Sequence, residues 1–135
     1  IVHFGYAPDR TSYQGWLARA DIVVSTAVQE NFGISVLEAV AHGARPLLPH
    51  RLAYPEVIPE EYHDALYRDD DELADRLEEL CSRTPLGELR APTGLVSHAR
   101  SFSWDERIRE FDALFEAVAA TAPAARDRPR EETHG

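Results

Sequence analysis

Methionine and lysine are absent from the 135 residues, and cysteine occurs once. A chain without methionine does not begin at its own start codon, so the sequence reads as a piece of something longer. The single Cys81 excludes an intramolecular disulfide, and no Cys/His spacing resembles a zinc site, which makes a reducing, cytoplasmic compartment the expectation. Long hydrophobic runs are also missing. Apolar stretches such as Ile22 to Val24 and Val118 to Ala120 fall far short of the roughly 20 residues of a membrane span, and no basic-then-apolar leader opens the chain, so no membrane partner is expected. Positive charge is scarce: all 14 basic residues are arginine against 24 acids, a formal net charge of −10. That sign is wrong for gripping a phosphate backbone by counterion release, which argues against autonomous nucleic-acid binding.

What is present suffices for one core of ordinary domain size, with 44% of residues hydrophobic. Ile1 to Tyr6 reads as a short strand closed by the Pro8-Asp9 turn signal. From Thr11 to Ala20, Tyr13, Trp16, Leu17 and Ala20 recur at helical spacing, and Asp21 to Ser25 is a strand of the buried, non-alternating kind. The loop Thr26 to Asn31 leads to a helix over Gly33 to His42, stopped by Gly43, then a short strand at Arg45 to Leu48. A Pro-rich loop, Pro49 to Pro59, precedes a further short strand at Ala65-Leu66-Tyr67. Asp70 or Asp71 is expected to cap a helix through Leu73, Leu77 and Leu80. Pro85 to Gly94 reads as a turn-rich connector. A last amphipathic helix opens on the capping-box pattern Ser103-Trp104-Asp105-Glu106 and carries Ile108, Phe111, Leu114, Phe115 and Val118. Thr121 to Gly135 has the composition of a disordered tail.

Strands alternating with helices predict an α/β fold: a Rossmann-like parallel sheet with right-handed crossovers and helices on both faces, half of a doubly wound architecture. Such sheets bind ligands at the carboxyl ends of their strands. Here those ends are the loops after Tyr6, Ser25 and Leu48. The second runs into a helix, whose first amides and positive dipole end suit an anion without any lysine. Gly33 permits close backbone approach to a ligand. Glu38, five residues on, lies about 7.5 Å further along the helix. Glu38 is the only charge between Glu30 and Arg45 apart from whatever His42 carries. Its carboxylate either grips ligand hydroxyls, as it can a vicinal diol, or occupies the one solvated face of an otherwise buried helix. The six histidines show no i,i+4 pair and no carboxylate at ligand spacing, so no metal site is expected.

The segment Glu30-Asn31-Phe32-Gly33-Ile34-Ser35-Val36-Leu37-Glu38-Ala39, followed by Gly43 and Pro46, resembles the E-x7-E signature of retaining GT-B glycosyltransferases of family four. The order of elements agrees with their C-terminal, donor-binding domain. The match runs in register from Phe4-Gly5-Tyr6 through Ala20 to Ser25 and reappears at Phe102-Ser103-Trp104, covering residues 1–120. A narrower resemblance, to the tRNA-queuosine α-mannosyltransferase group, is carried by Ser25-Thr26-Ala27, by Gly43 to Pro49 and by Arg51-Leu52-Ala53-Tyr54-Pro55-Glu56-Val57-Ile58-Pro59. Against the wider family there is Ser-Thr for Pro-Ser, Glu-Asn-Phe-Gly for Glu-Gly-Phe-Gly, and one extra residue between Gly43 and Pro46.

The resemblance implies a donor-binding domain over residues 1–120. Glu30 would be the catalytic-side carboxylate, on hydroxyls of the transferred sugar, and Glu38 would hold the donor's ribose hydroxyls. Backbone amides near Asn31, Phe32 and Gly33 would hold diphosphate and sugar, Tyr6 would lie against the base, and Tyr54-Pro55-Glu56 would form another wall of the cleft. It further implies GDP-mannose as donor, no metal, and queuosine in tRNA as acceptor, bound through an N-terminal domain. The diphosphate-binding Arg/Lys pair would precede Ile1. Two other readings stay open: a family-four transfer from another nucleotide sugar to a lipid or polysaccharide, and a non-catalytic α/β interaction domain.

Overall fold

The computed structural model describes residues 3–83, 85 and 89–121. Asp9 opens the first helix, α1 (Arg10–Arg19), its carboxylate accepting from the Ser12 amide at 2.7 Å. The apolar run that follows forms β1 (Ile22–Val24). After the loop come α2 (Ile34–Ala41), β2 (Arg45–Pro49), α3 (Tyr54–Val57), a 3-10 turn (Glu60–Ala65), β3 (Leu66–Tyr67), α4 (Asp70–Arg83), α5 (Thr93–Arg100) and α6 (Trp104–Thr121).

The sheet is parallel throughout, in the order β1-β2-β3. Val23 pairs with Pro46 and Leu48 with Leu66. Beyond Arg45 the central strand is wholly buried, as a strand covered on both sides must be. The architecture is therefore α/β with a Rossmann-like parallel sheet.

The strand expected over Ile1 to Tyr6 is not present among its described residues, Ile1 and Val2 lying outside them. His3 to Tyr6 have no regular structure, and Phe4 and Tyr6 are 92% and 99% exposed. A strand needs a ladder partner, and β1 pairs only with β2 among the described residues; His3 instead stacks on Trp16, ring centroids 4.1 Å apart.

Three further expectations are corrected. The Pro49 to Pro59 loop contains α3, because Pro55 falls in its first turn, where a missing N–H is harmless. The connector Pro85 to Gly94, whose residues 86–88 lie outside the described set, ends in α5: Pro92 is its N-cap, and Gly94 gives the Tyr62 hydroxyl room that a Cβ would fill. The cap of α4 is Asp69 rather than Asp70 or Asp71. Asp69 Oδ1 accepts from the Glu72 amide at 2.9 Å, while Glu72 reaches back to the Arg68 amide at 2.7 Å.

The core joins α2 (Val36, Leu37, Val40) to α5 (Leu95, Ala99), and to Leu48, Tyr54, Val57, Ile58 and Leu66. Arg90 braces its edge, donating to the Ala20 carbonyl at 2.9 Å and the His42 carbonyl at 2.7 Å, at the ends of α1 and α2. The chain divides after Phe102 into two compact units. In the second, α6 stacks Trp104 on Phe111 and pairs Arg107 with Glu110 at 2.9 Å. The tail expected over Thr121 to Gly135 lies outside the described residues after Thr121.

Candidate functional site

The loop between β1 and α2 is built from its start. Ser25 prolongs the ladder, its amide donating to the Leu47 carbonyl at 3.1 Å. Two tyrosines from later in the chain then pin it. The Tyr54 hydroxyl lies 2.8 Å from Ser25 Oγ, and the Tyr67 hydroxyl donates to the Ser25 carbonyl at 2.8 Å. Burial, ahead of any neighbouring charge, raises the Tyr67 phenol above its ordinary pKa, which keeps it a donor. Ser25 Oγ also accepts from the Ala27 amide at 3.3 Å, so the chain turns sharply toward Glu30.

Glu30 Oε1 accepts from the Gly33 amide at 2.9 Å and the Phe32 amide at 3.2 Å. These two bonds, with the Asn31 amide adding to them, hold the carboxyl below its ordinary pKa. The amides of Phe32 and Gly33, expected to face phosphate, thus already serve a carboxylate of the same loop. The amides of Ile34, Ser35 and Val36 lack an i−4 carbonyl within α2, and no side chain caps that end. They form the positive end of the helix.

Gly33 has φ +79°, and a Cβ there would lie 2.8 Å from Tyr54 Cε1. The left-handed backbone and the tyrosine ring packed beneath it each demand glycine here. Tyr54 itself is 1% exposed. It supports the loop from below and is no cleft wall, although the sequence reading placed it there.

Glu38 is exposed on α2. Its Oε2 accepts from the Tyr13 hydroxyl of α1 at 2.8 Å. Burial first, then the bond to Glu38 and its charge, push the Tyr13 phenol up to about 12. Of the two readings of Glu38, a carboxylate on a solvated face agrees with its exposure, and one poised for hydroxyls agrees with the phenol that holds it.

A depression of about 470 Å³ lies beside the loop, lined by Gln29, Glu30, Asn31 and Leu52. It brings Glu30 and Asn31 together with a residue the sequence did not single out as a site. Leu52 is in the left-handed region, φ 62°, where a leucine is strained. Arg51 beside it reaches back to the Ala27 carbonyl at 3.4 Å. Neither Tyr6 nor Glu56 lines this depression. Tyr6 stands in solvent before α1, and Glu56 is exposed on α3. Phe32, partly exposed, packs edge-on against Phe102 with centroids 5.3 Å apart. A second depression, about 410 Å³, lies at the opposite end of β2, lined among others by Arg45, Asp64, Arg76 and Glu79. Its arginines are already engaged, Arg45 with Asp64 at 3.4 Å and Arg76 with Glu72 at 2.5 Å.

Chemically, the first site offers an open depression edged by a carboxylate, the positive end of a helix, and a second carboxylate further along that helix. Such a set suits a ligand with both anionic and polyhydroxylated parts. Among the described residues no three His, Cys, Asp or Glu side chains converge as metal ligands, and no helix is long and apolar enough to cross a membrane.

Comparison with known proteins bears on the same stretch. The family model described as glycosyl transferases group 1 matches residues 1–83. A tRNA-queuosine alpha-mannosyltransferase of Drosophila melanogaster is 40% identical over 81 residues, 60% of this chain, and the chain spans about one fifth of that relative's length (20%). No solved structure matches significantly.

Proposed function

The chain belongs to the group 1 glycosyl transferases, and we propose that it is the donor-binding part of a retaining enzyme that transfers mannose from GDP-mannose to queuosine in tRNA. The observation that carries this reading is the pairing of Glu30, edging the depression before α2, with Glu38 further along the same helix. The 40% identity to a tRNA-queuosine alpha-mannosyltransferase supports the choice of sugar and acceptor.

In this reading the sugar occupies the depression, with its hydroxyls on Glu30 and Asn31 and its apolar face on Leu52. The diphosphate sits at the amides of Ile34 and Ser35, where the helix end stabilises the charge of the departing GDP. Glu38 accepts the two ribose hydroxyls. The bond from the anomeric carbon to the β-phosphate oxygen breaks, GDP leaves with that electron pair, and the acceptor hydroxyl bonds the same face while its proton passes to the departing β-phosphate oxygen. Tyr6 is assigned to the base and Glu56 to the far side of the donor; both must be approached by the ligand, since neither lines the depression. No metal takes part. The net charge of −10 supports reading the tRNA contacts as made by another part of the whole enzyme, with the cytoplasm as the proposed place of action.

The test is transfer of labelled sugar by the full-length protein to queuosine-containing tRNA, with GDP-mannose compared with other GDP- and UDP-sugars and with lipid acceptors. Label entering tRNA from GDP-mannose alone, reduced about 10²- to 10³-fold by Glu30→Gln, is the expected result. Transfer only to a lipid or polysaccharide, or from another sugar, sinks the assignment, and a protein that binds no nucleotide sugar at all is an interaction domain.

A further inference from the structure

Glu38 stands among apolar sequence neighbours on α2, and its carboxylate is bonded from outside that helix. What holds it comes from α1. Asp9 caps that helix through the Ser12 amide at 2.7 Å, and the Tyr13 amide donates to the Asp9 carbonyl at 3.1 Å, which fixes Tyr13 in the first full turn. From there the phenol crosses to Glu38 Oε2 at 2.8 Å. A vicinal diol meets a carboxylate through both oxygens and in its plane. A carboxylate free to rotate must be ordered when the diol arrives, whereas one already pinned at Oε2 presents Oε1 and the second lone pair of Oε2 in a fixed direction.

We propose that Tyr13 is a positioning residue that aims Glu38 at the ribose hydroxyls of the donor nucleotide, so that the preference for ribose over deoxyribose depends on the α1 phenol as well as on Glu38. This rests on the reading of Glu38 as the ribose ligand. The phenol is suited to the task because, pushed up to about 12, it stays protonated and donates throughout the working pH range. The Tyr13 ring is partly buried, so Tyr13→Phe keeps its packing and removes only the hydroxyl.

The experiment measures the affinities of the full-length protein for GDP and 2′-deoxy-GDP by calorimetry, in the wild type, Tyr13→Phe and Glu38→Ala, with thermal melts alongside. The wild type is expected to prefer GDP by about tenfold or more, and Glu38→Ala to bring the ratio near one. Tyr13→Phe is expected to cut the ratio about three- to tenfold while affinity for the deoxy nucleotide stays within about twofold. If Glu38→Ala abolishes the preference but Tyr13→Phe leaves it intact, or weakens both nucleotides equally, Tyr13 is only a packing residue and the inference is wrong. A preference that Glu38→Ala leaves intact, or a wild type that shows none or binds no GDP, overturns the reading of Glu38 itself and the inference with it.

Discussion

Replacing Gly33 by alanine tests whether the turn into α2 is built as described. Two costs arise at one atom. Holding a non-glycine residue near φ +79° costs about 1–2 kcal/mol. The new Cβ would also stand 2.8 Å from Tyr54 Cε1, a distance real side chains do not adopt. Tyr54 cannot swing away cheaply, because it is 1% exposed and its hydroxyl is tied to Ser25; overpacking of this kind costs about 1–3 kcal/mol. The sum is about 2–5 kcal/mol, a large share of a domain's stability. Denaturant unfolding monitored by tryptophan fluorescence reads it as a lowered midpoint at unchanged slope. In a Tyr54→Leu background the steric part disappears and only the backbone part remains, so the second substitution should make Gly33→Ala cheaper by about 1–3 kcal/mol. A cost below about 1 kcal/mol for Gly33→Ala alone, or no coupling to Tyr54, refutes this account of the turn.

Arg90→Ala removes two charge-assisted bonds to the carbonyls of Ala20 and His42 and should cost about 2–4 kcal/mol in the same assay; a change within about 0.5 kcal/mol would mean the brace holds nothing. Tyr13 should titrate near 12, and ultraviolet titration of tyrosinate should lose that step in Tyr13→Phe. Because burial first, and then the bond to Glu38, put its folded pKa above the ordinary 10.0, the stability tied to the protonated phenol is fully present below pH 10 and is lost as pH rises through about 12. In Glu38→Ala the step should fall but stay above 10, since burial is its first cause; a full return to 10 would contradict that order. If, as proposed, the helix end carries the departing charge, chelation of divalent ions should leave the sugar-transfer rate of the full-length protein within about twofold; loss of activity restored by added magnesium or manganese would show that a cation does so instead.

The parts of the fold legible in the sequence are those with a local signature. Ile22 to Val24 is a bare apolar run, and α2 is an apolar helix between two glycines, so both emerge within a residue or two of expectation. Ile1 to Tyr6 has the same composition as a strand, but composition does not supply a neighbour to pair with. Elements α3 and α5 escaped because Pro55, Pro92 and Gly94 read as breakers, although proline is at home at a helix start and Gly94 answers to the Tyr62 hydroxyl. In the candidate site, spacing and company are what single out Glu30 and Glu38 in the sequence. What orients them is not legible there: Tyr13 meets Glu38 across 25 residues and Tyr54 meets Ser25 across 29. Contacts at such separations leave no periodic mark, and a tyrosine at helical spacing looks like any core residue. Leu52 carries no sequence signal of its left-handed backbone, since leucine is seldom found there.

The two tyrosines that clamp Ser25 also bear on the order of events during synthesis. A nascent chain that has emerged through β2 already holds the whole Glu30 to Glu38 segment, yet lacks both hydroxyls that anchor the loop before it. Tyr54 arrives with α3, and Tyr67 with β3, 42 residues after Ser25. The pocket is thus finished late by non-local contacts, at a point where loop-closure entropy has still to be overcome. A ribosome stalled before residue 67 would display the full signature on a chain whose loop between β1 and α2 is not yet fastened, and only release of β3 would lock it.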